Sequence, residues 1–221
     1  MLVKEAKEAA NISKGNSKMP GSTFATDSFA CRVGSKLAKL KGSVCESCYA
    51  RRIQKMRPSV NIGWKANYEK ATRLVASAPE KWIAACAFQI NRIAKQTGEN
   101  YHRWFDSGDL DSVDMLKAIC AVAEQTPTIK HWLPTREIGI VAAYARAGGI
   151  VPSNLVIRVS SPMIGDKPLS WSNTSTVHRK GQESYGHKCP APMQGNSCGD
   201  GDKACRACWN PAVKNISYTK H

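Results

Sequence analysis

Tyr101-His-Arg-Trp-Phe105 runs directly into Asp106-Ser-Gly-Asp109. The first five residues are aromatic and basic with no breaker among them, and read as a short strand. The next four are small or acidic around a glycine, and read as a turn. Upstream, Ser77-Ala-Pro-Glu80 has the form of a capping box with an early proline. It opens a helix that carries Trp82, Ile83, Cys86, Ile90 and Ile93 on one side and ends near Gly98. Downstream, a helix begins near Ser112 with Leu116, Ile119, Cys120 and Ala123 inward, and stops before Pro127. A strand over Ile129 to Leu133, a helix from Glu137 to Ala147 closed by Gly148-Gly149, and a strand over Leu155 to Ser160 complete the rhythm. Alternating strands and helices at this spacing imply a parallel sheet in an α/β fold.

The flanks are less regular. Residues 1 to about 60 read as loop-rich, with a first strand near Ser22 to Ala25 and a helix over Gly63 to Ala76. After Ser161 the chain turns to Gly, Pro, Ser and Asn with little periodicity. Two regions are therefore expected: 1–161, a basic N-terminal region with a parallel α/β core, and 162–221, a Cys-rich extension too poor in apolar residues to hold a core without a metal staple.

Seven of the nine cysteines fall into two bunches, Cys31, Cys45 and Cys48, then Cys189, Cys198, Cys205 and Cys208. Four thiolates close the coordination sphere of a zinc ion or an iron–sulfur cluster. Three on a four-iron cluster leave one iron open. The opening residues Met1 to Gly21 lack an apolar leader. The most apolar stretch, Ile138 to Val151, is interrupted by Arg146 and too short to span a bilayer. An odd cysteine count with two CxxC pairs, Cys45/Cys48 and Cys205/Cys208, reads as metal binding in a reducing cytoplasm, away from membranes. Zinc joining the two CxxC pairs is the competing metal arrangement, and it strands Cys31, Cys189 and Cys198. Cys86 and Cys120 sit among apolar neighbours and read as core. His187, two residues before Cys189, is a candidate ligand or a solvated loop histidine.

The net charge is +15, and residues 1–73 supply +10 of it, with 15 Lys/Arg against 5 Asp/Glu. Arg32, Lys36, Lys39 and Lys41 lie between the first two cysteines, and Arg51, Arg52, Lys55 and Arg57 follow the third. Such a concentration of charge suits DNA or RNA as partner, with a solvated basic surface as the alternative. In a parallel α/β fold, sites form where the loops leave the strands' carboxyl ends. Four polar elements fall there: the Cys31 loop, Asp106 to Asp109, Thr135-Arg136 and Ser160-Ser161. Asp106, Asp109 and Arg136 are the candidate catalytic groups. Asp109, Asp111 and Ser112 are alternative caps for the helix that follows.

Cys45-Glu-Ser-Cys48-Tyr49-Ala50-Arg51, Phe105-Asp-Ser-Gly-Asp109 and the terminal cysteines together resemble the phage-encoded gene product eighty-eight family. More broadly, three cysteines after a first strand, the last followed by an aromatic residue, are similar to radical S-adenosylmethionine enzymes. That resemblance implies a partial (β/α) TIM-like barrel and a [4Fe-4S] cluster on Cys31, Cys45 and Cys48. It also implies S-adenosylmethionine bound near Tyr49, Ser107, Gly108, Asp109 and Ser160, and a second cluster on the C-terminal cysteines. The thirteen residues between Cys31 and Cys45 depart from the usual CxxxCxxC spacing. A phage protein of this kind would work in the host cytoplasm, with a host protein or an electron donor as a further partner.

Overall fold

A computed structural model describes residues 1–15 and 18–220. The strands are β1 (Ile12–Ser13), β2 (Ser22–Ala25), β3 (Tyr101–Ser107), β4 (Lys130–Thr135), β5 (Leu155–Ile164), β6 (Thr174–His178), β7 (His187–Lys188) and β8 (Asn215–Thr219). They form one sheet in the order β1-β2-β3-β4-β5-β6-β8-β7. Every pairing is parallel except β1 with β2. The fold is thus mixed α/β on a mostly parallel sheet. Its order ends at β1 and β7, and no pairing of those two edges is found among the described residues.

The helices are α1 (Val3–Ala9), α2 (Arg32–Leu37), α3 (Tyr49–Met56), α4 (Pro58–Ser77), α5 (Pro79–Thr97), α6 (Val113–Glu124) and α7 (Ile138–Arg146). The central strands and helices match the expected rhythm closely. One local expectation changes, and one open alternative is decided. Ala78, not Ser77, is the N-cap of α5, and no side chain caps it; Pro79 supplies the fixed φ at the first helical position. Ser112 caps α6, its Oγ accepting from Met115 N at 3.1 Å, which leaves Asp109 to other work.

One face of the sheet carries the main apolar core. Phe24 of β2, Trp104 and Phe105 of β3 and Trp82 of α5 meet edge-on, with ring centroids 5.6–5.8 Å from Phe24. Cys86 and Cys120 lie in this core. His102 and His131 also face it and are fully buried. Trp104 Nε1 donates to His131 Nδ1 at 3.2 Å, and Thr126 Oγ1 lies 2.8 Å from the ring's other nitrogen. Burial lowers the His131 pKa to about 3, so the ring sits neutral among its partners.

The tail departs most from expectation. Instead of a loop-rich appendage it contributes β6, β7 and β8 to the common sheet. Hydrophobic patterning missed β6 and β8 because Thr-Ser-Thr-Val-His and Asn-Ile-Ser-Tyr-Thr bury hydroxyls and amides. Those groups satisfy one another across the strands: Thr174 Oγ1 donates to Asn215 Oδ1 (2.8 Å), Asn215 Nδ2 to Thr176 Oγ1 (3.0 Å), and His178 Nδ1 sits 2.7 Å from Ser217 Oγ. Buried polar groups cost little when fully paired, so a strand can be core without being apolar.

Candidate metal centres

β3 does not keep simple alternation to its end. Its pairing with β2 shifts from Thr23 opposite Arg103 to Ala25 opposite Ser107, a bulge of two residues on β3. Phe105 lies within it at φ 50°, a left-handed conformation that costs a bulky residue of order 1 kcal/mol or more. The bulge sends both Trp104 and Phe105 into the helix-side core. Asp106 then falls on the opposite face with Tyr101 and Arg103. Gly108 completes the turn at φ 84°, and a Cβ there would stand 1.9 Å from Thr26 Oγ1, so only glycine fits.

The first cysteine bunch is built on the same end of the sheet. Cys31 is the N-cap of α2 and Cys48 the N-cap of α3. The long spacer between Cys31 and Cys45 contains α2 and a turn pinned to the end of β5, where Ser43 bridges Met163 and Val44 N donates to Pro162 O at 2.9 Å. Val33 N donates to Glu137 Oε1 at 2.8 Å, tying α2 to the start of α7. A Cβ on Gly34 would lie 3.7 Å from Cys45 Sγ and 3.8 Å from Cys31 Sγ, which shows how closely those two sulfurs face one point. Burial pushes the Cys31 thiol up to about 12, with Asp109, Cys48 and Cys45 adding to the rise. Burial raises Cys45 too; Arg136 opposes it, and Cys48 and Asp109 reinforce it.

The two aspartates of the turn do different work. Asp109 is saturated: Oδ1 accepts from Leu110 N (2.8 Å) and Thr135 Oγ1 (2.6 Å), and Oδ2 from Arg136 N (3.0 Å). It clamps the loop after β3 to the end of β4, and burial raises its carboxyl to about 6 despite those bonds. Asp106 Oδ1 is buried with no partner. So are Arg103 Nε, Arg136 Nε, Ser107 Oγ and Trp132 Nε1. Tyr49 is half-exposed, but its hydroxyl donates to Asp106 O at 2.6 Å. Ser160 stands apart: its Oγ is engaged with Ser175 Oγ at 2.9 Å.

The second bunch lies on the sheet face opposite the helices, around a small core of Trp132, Cys208, Trp209 and Ile216. Trp209 meets Trp132 and Tyr101 edge-on and donates from Nε1 to His102 O at 2.9 Å. The four thiols influence one another. Burial raises Cys189, and Cys205 adds to it; burial raises Cys198, and Cys189 and Cys205 add to it. Cys208 is pushed up to about 12 by burial, eased by a Tyr218 hydrogen bond and raised further by Cys189 and Cys198. Cys205 Sγ lies 3.5 Å from the exposed His187 Nε2. Among the described residues no set of three or more His, Cys, Asp or Glu side chains converges tightly enough to hold a single metal ion.

Two arginines that sequence reasoning passed over sit beneath this bunch. Arg158 is fully buried and donates to five backbone carbonyls: Cys208 (2.9 Å), Ala207 (3.0 Å), Asn210 (2.9 Å), Val213 (2.8 Å) and Thr174 (3.4 Å). Arg103 lies over the Trp132 ring at 4.7 Å. Burial works against its charge, but Tyr49 and Asp106 on one side and Tyr218 and Cys208 on the other outweigh it. Arg103 therefore spans the interval between the two cysteine bunches. The signal was present as a charged residue in each of two otherwise aromatic or apolar strands, Arg103 in YHRWF and Arg158 in LVIRVS.

A family model described as Gene product 88 matches residues 2–211. The chain belongs to that family. The match covers both cysteine bunches and the Asp106–Asp109 turn, the segments whose motifs resemble the family. No curated protein and no solved structure matches the chain.

The basic residues of the family member's first quarter divide in the structure. Arg32, Lys36, Lys39, Lys41, Arg52, Lys55 and Arg57 are exposed. Arg32 pairs with Asp111 at 3.4 Å. Arg51 turns inward instead, bonding Ser35 Oγ and, at 3.4 Å, Ser28 O. Only three ion pairs occur among the described residues, so most of the 32 cationic side chains stay uncompensated. No helix is long and apolar enough to cross a membrane.

Proposed function

We propose that this protein is an iron–sulfur protein acting on nucleic acid, with a reactive centre on Cys31, Cys45 and Cys48 and a closed one on Cys189, Cys198, Cys205 and Cys208. The carrying observation is the grouping: cysteines from distant segments gather as three and four, with Arg103 between the groups. A cluster whose irons each take one thiolate uses the four-cysteine group whole and leaves one iron open at the three-cysteine group. Each thiol gives up its proton as the metal binds, so metal uptake is expected to fall as pH is lowered. At the four-thiol group, Arg103 and Arg158 supply positive charge to an anionic metal–thiolate centre.

The three-thiol group has the opposite character. Its neighbours Asp106, Arg103 and Arg136 hold unpartnered polar atoms, and a buried polar atom without a protein partner calls for a water, an ion or a ligand to pair it. Asp106 would receive an ammonium and Arg136 or Arg103 a carboxylate, the two ends of an amino-acid moiety such as that of S-adenosylmethionine. Asp109, already saturated, positions the loop rather than touching the ligand. When bound, a cluster with one open iron supplies one-electron chemistry to a molecule held this way. We further read the sheet as a partial barrel: Cys198 N donates to Lys18 O at 2.7 Å, which draws together segments that follow the two edge strands. The exposed cations flanking Cys31 and Cys48 would carry the phosphate contacts.

A second reading is favoured by one contact. His187 beside Cys205 suits a thiolate–imidazole zinc site, and the protein would then be a nucleic-acid binder whose metals only hold loops. Anaerobic purification with iron, sulfide and zinc counted per chain separates the two. Brown protein with about four to eight irons, and a spectrum that changes on adding S-adenosylmethionine, supports the enzyme. Colourless protein with stoichiometric zinc overturns it.

A further inference from the structure

Beside the first cysteine bunch, the loop before α2 and the helices α3 and α4 line an open pocket of about 370 Å³. Phe29 forms one wall. It is 38 % exposed, unusual for a phenylalanine, and it lies two residues before Cys31. Two cations lie over its ring, the Arg51 guanidinium at 5.0 Å and Lys55 Nζ at 5.8 Å from the centroid. Lys55 and Lys65, both exposed, stand on the rim.

The floor is polar and rigid. Gln54, fully buried, accepts from Ser28 N (3.0 Å) and Ser28 Oγ (2.7 Å) and donates to Asp27 Oδ1 (2.7 Å) and Asn61 Oδ1 (3.0 Å). Asp27 Oδ1 also accepts from Phe29 N at 2.9 Å, which fixes the aromatic wall relative to the floor. These bonds use one oxygen of Asp27 and the oxygen of Asn61. Asp27 Oδ2 and the Asn61 amino group have no protein partner among the described residues. The cavity therefore offers the exposed part of an aromatic ring, a hydrogen-bond acceptor and donor on the floor, and cations at the mouth.

We infer that this cavity is a nucleobase subsite for single-stranded nucleic acid, with the base against Phe29, its edge on Asp27 and Asn61, and the adjoining phosphates on Lys55 and Lys65. The inference rests on the nucleic-acid reading above and narrows it. Every base has a π face, whereas only an unpaired base can bring it to a side-chain wall. Arg51 bonds both the Phe29 loop at Ser28 O and α2 at Ser35 Oγ. A strand seated here is thus held beside the three thiols.

The test is fluorescence anisotropy with end-labelled single-stranded DNA and RNA oligonucleotides over a salt series, on the full chain. Phe29→Ala and Phe29→Leu are expected to weaken binding by about 5- to 100-fold with the salt slope unchanged. Phe29→Trp restores it. Lys55→Gln and Lys65→Gln should each flatten the salt slope by about 0.7. Melting curves confirm that each variant folds, and Phe29→Leu keeps the apolar packing that Phe29→Ala removes. If Phe29→Leu binds within about twofold of the wild type, the subsite is overturned while nucleic-acid binding stands. Equal competition by a duplex of the same sequence also overturns it. If the wild type binds neither oligonucleotide at low salt, the broader reading fails and takes the subsite with it.

Discussion

The two cysteine bunches are built by opposite strategies. Around Cys189, Cys198, Cys205 and Cys208 most polar groups are satisfied, Trp132 Nε1 being an exception: Arg158 spends its guanidinium on five carbonyls, and β6 and β8 pair hydroxyl with amide. Near Cys31, Cys45 and Cys48 polar side chains are left unfinished, with Asp106 Oδ1 and Arg136 Nε buried and unpartnered, and Arg103 Nε between the two bunches is unpartnered too. A saturated surrounding holds what it contains in one geometry. An unsaturated one stores interaction energy for something that arrives. On the function proposed above, the contrast makes the C-terminal bunch architecture and the N-terminal bunch a receiving site.

The largest effect should come from the saturated side. Arg158→Met strips five carbonyls of their donor and is expected to lower the unfolding free energy by about 3–5 kcal/mol in denaturant titrations. An unchanged midpoint would show that the tail is held by its strands alone. Replacing Cys198 and Cys205 with serine is expected to remove about four irons per chain and expose 179–204 to protease. The pair Cys31→Ser and Cys48→Ser should lose a similar amount of iron while leaving that segment protected. If both pairs open the tail equally, the two groups are not separate.

Acid distinguishes the cysteine bunches from the core they share. His131 has an ordinary pKa of 6.5 when unfolded and about 3 when folded, so its contribution is intact above 6.5 and lost as pH falls toward 3. The loss should run at about 1.4 kcal/mol per pH unit below 6.5 in metal-free protein. His131→Asn is expected to flatten that slope, and a slope that persists assigns the acid sensitivity elsewhere. Asp109 works in the other sense, since its folded carboxyl is raised to about 6 and it loses stability as pH rises from about 4 to 6.

The smallest effects separate the two aspartates. Asp109→Asn breaks a saturated carboxylate and should cost about 1–3 kcal/mol. Asp106→Asn removes a buried, half-unpaired charge and should change stability by less than about 0.5 kcal/mol, while abolishing any spectral response to an added amino-acid ligand. Equal destabilisation by the two would sink the distinction between clamp and receiver.

Much of this was readable beforehand, and the failures have identifiable causes. Strands β3, β4 and β5 and helices α5, α6 and α7 announced themselves through apolar periodicity, because one of their faces meets a large apolar core. The strands of the tail did not, since Thr174, Thr176, Asn215 and Ser217 bury polar groups that only a partner strand satisfies. The short helices α2 and α3 escaped because their sequences, Arg-Val-Gly-Ser-Lys-Leu and Tyr-Ala-Arg-Arg-Ile-Gln-Lys-Met, bury little. At the candidate site the cysteines, Asp106 and Arg136 were legible from residue type and place after a strand. Arg103 and Arg158 were not, because an arginine within a strand shows its meaning only when the facing loop is known.

Residue type and order determined the α/β rhythm, the partition of seven thiols into three and four, and the basic bias of the first 73 residues. These are local or compositional properties, written in spacing, breaker residues and charge. Tertiary structure decided which aspartate is fully paired and which keeps one oxygen unpaired, that the tail completes the sheet, and that Arg103 lies between the two thiol groups. Each of those depends on which distant groups pair, and burial makes that pairing compulsory only once the chain has closed around it.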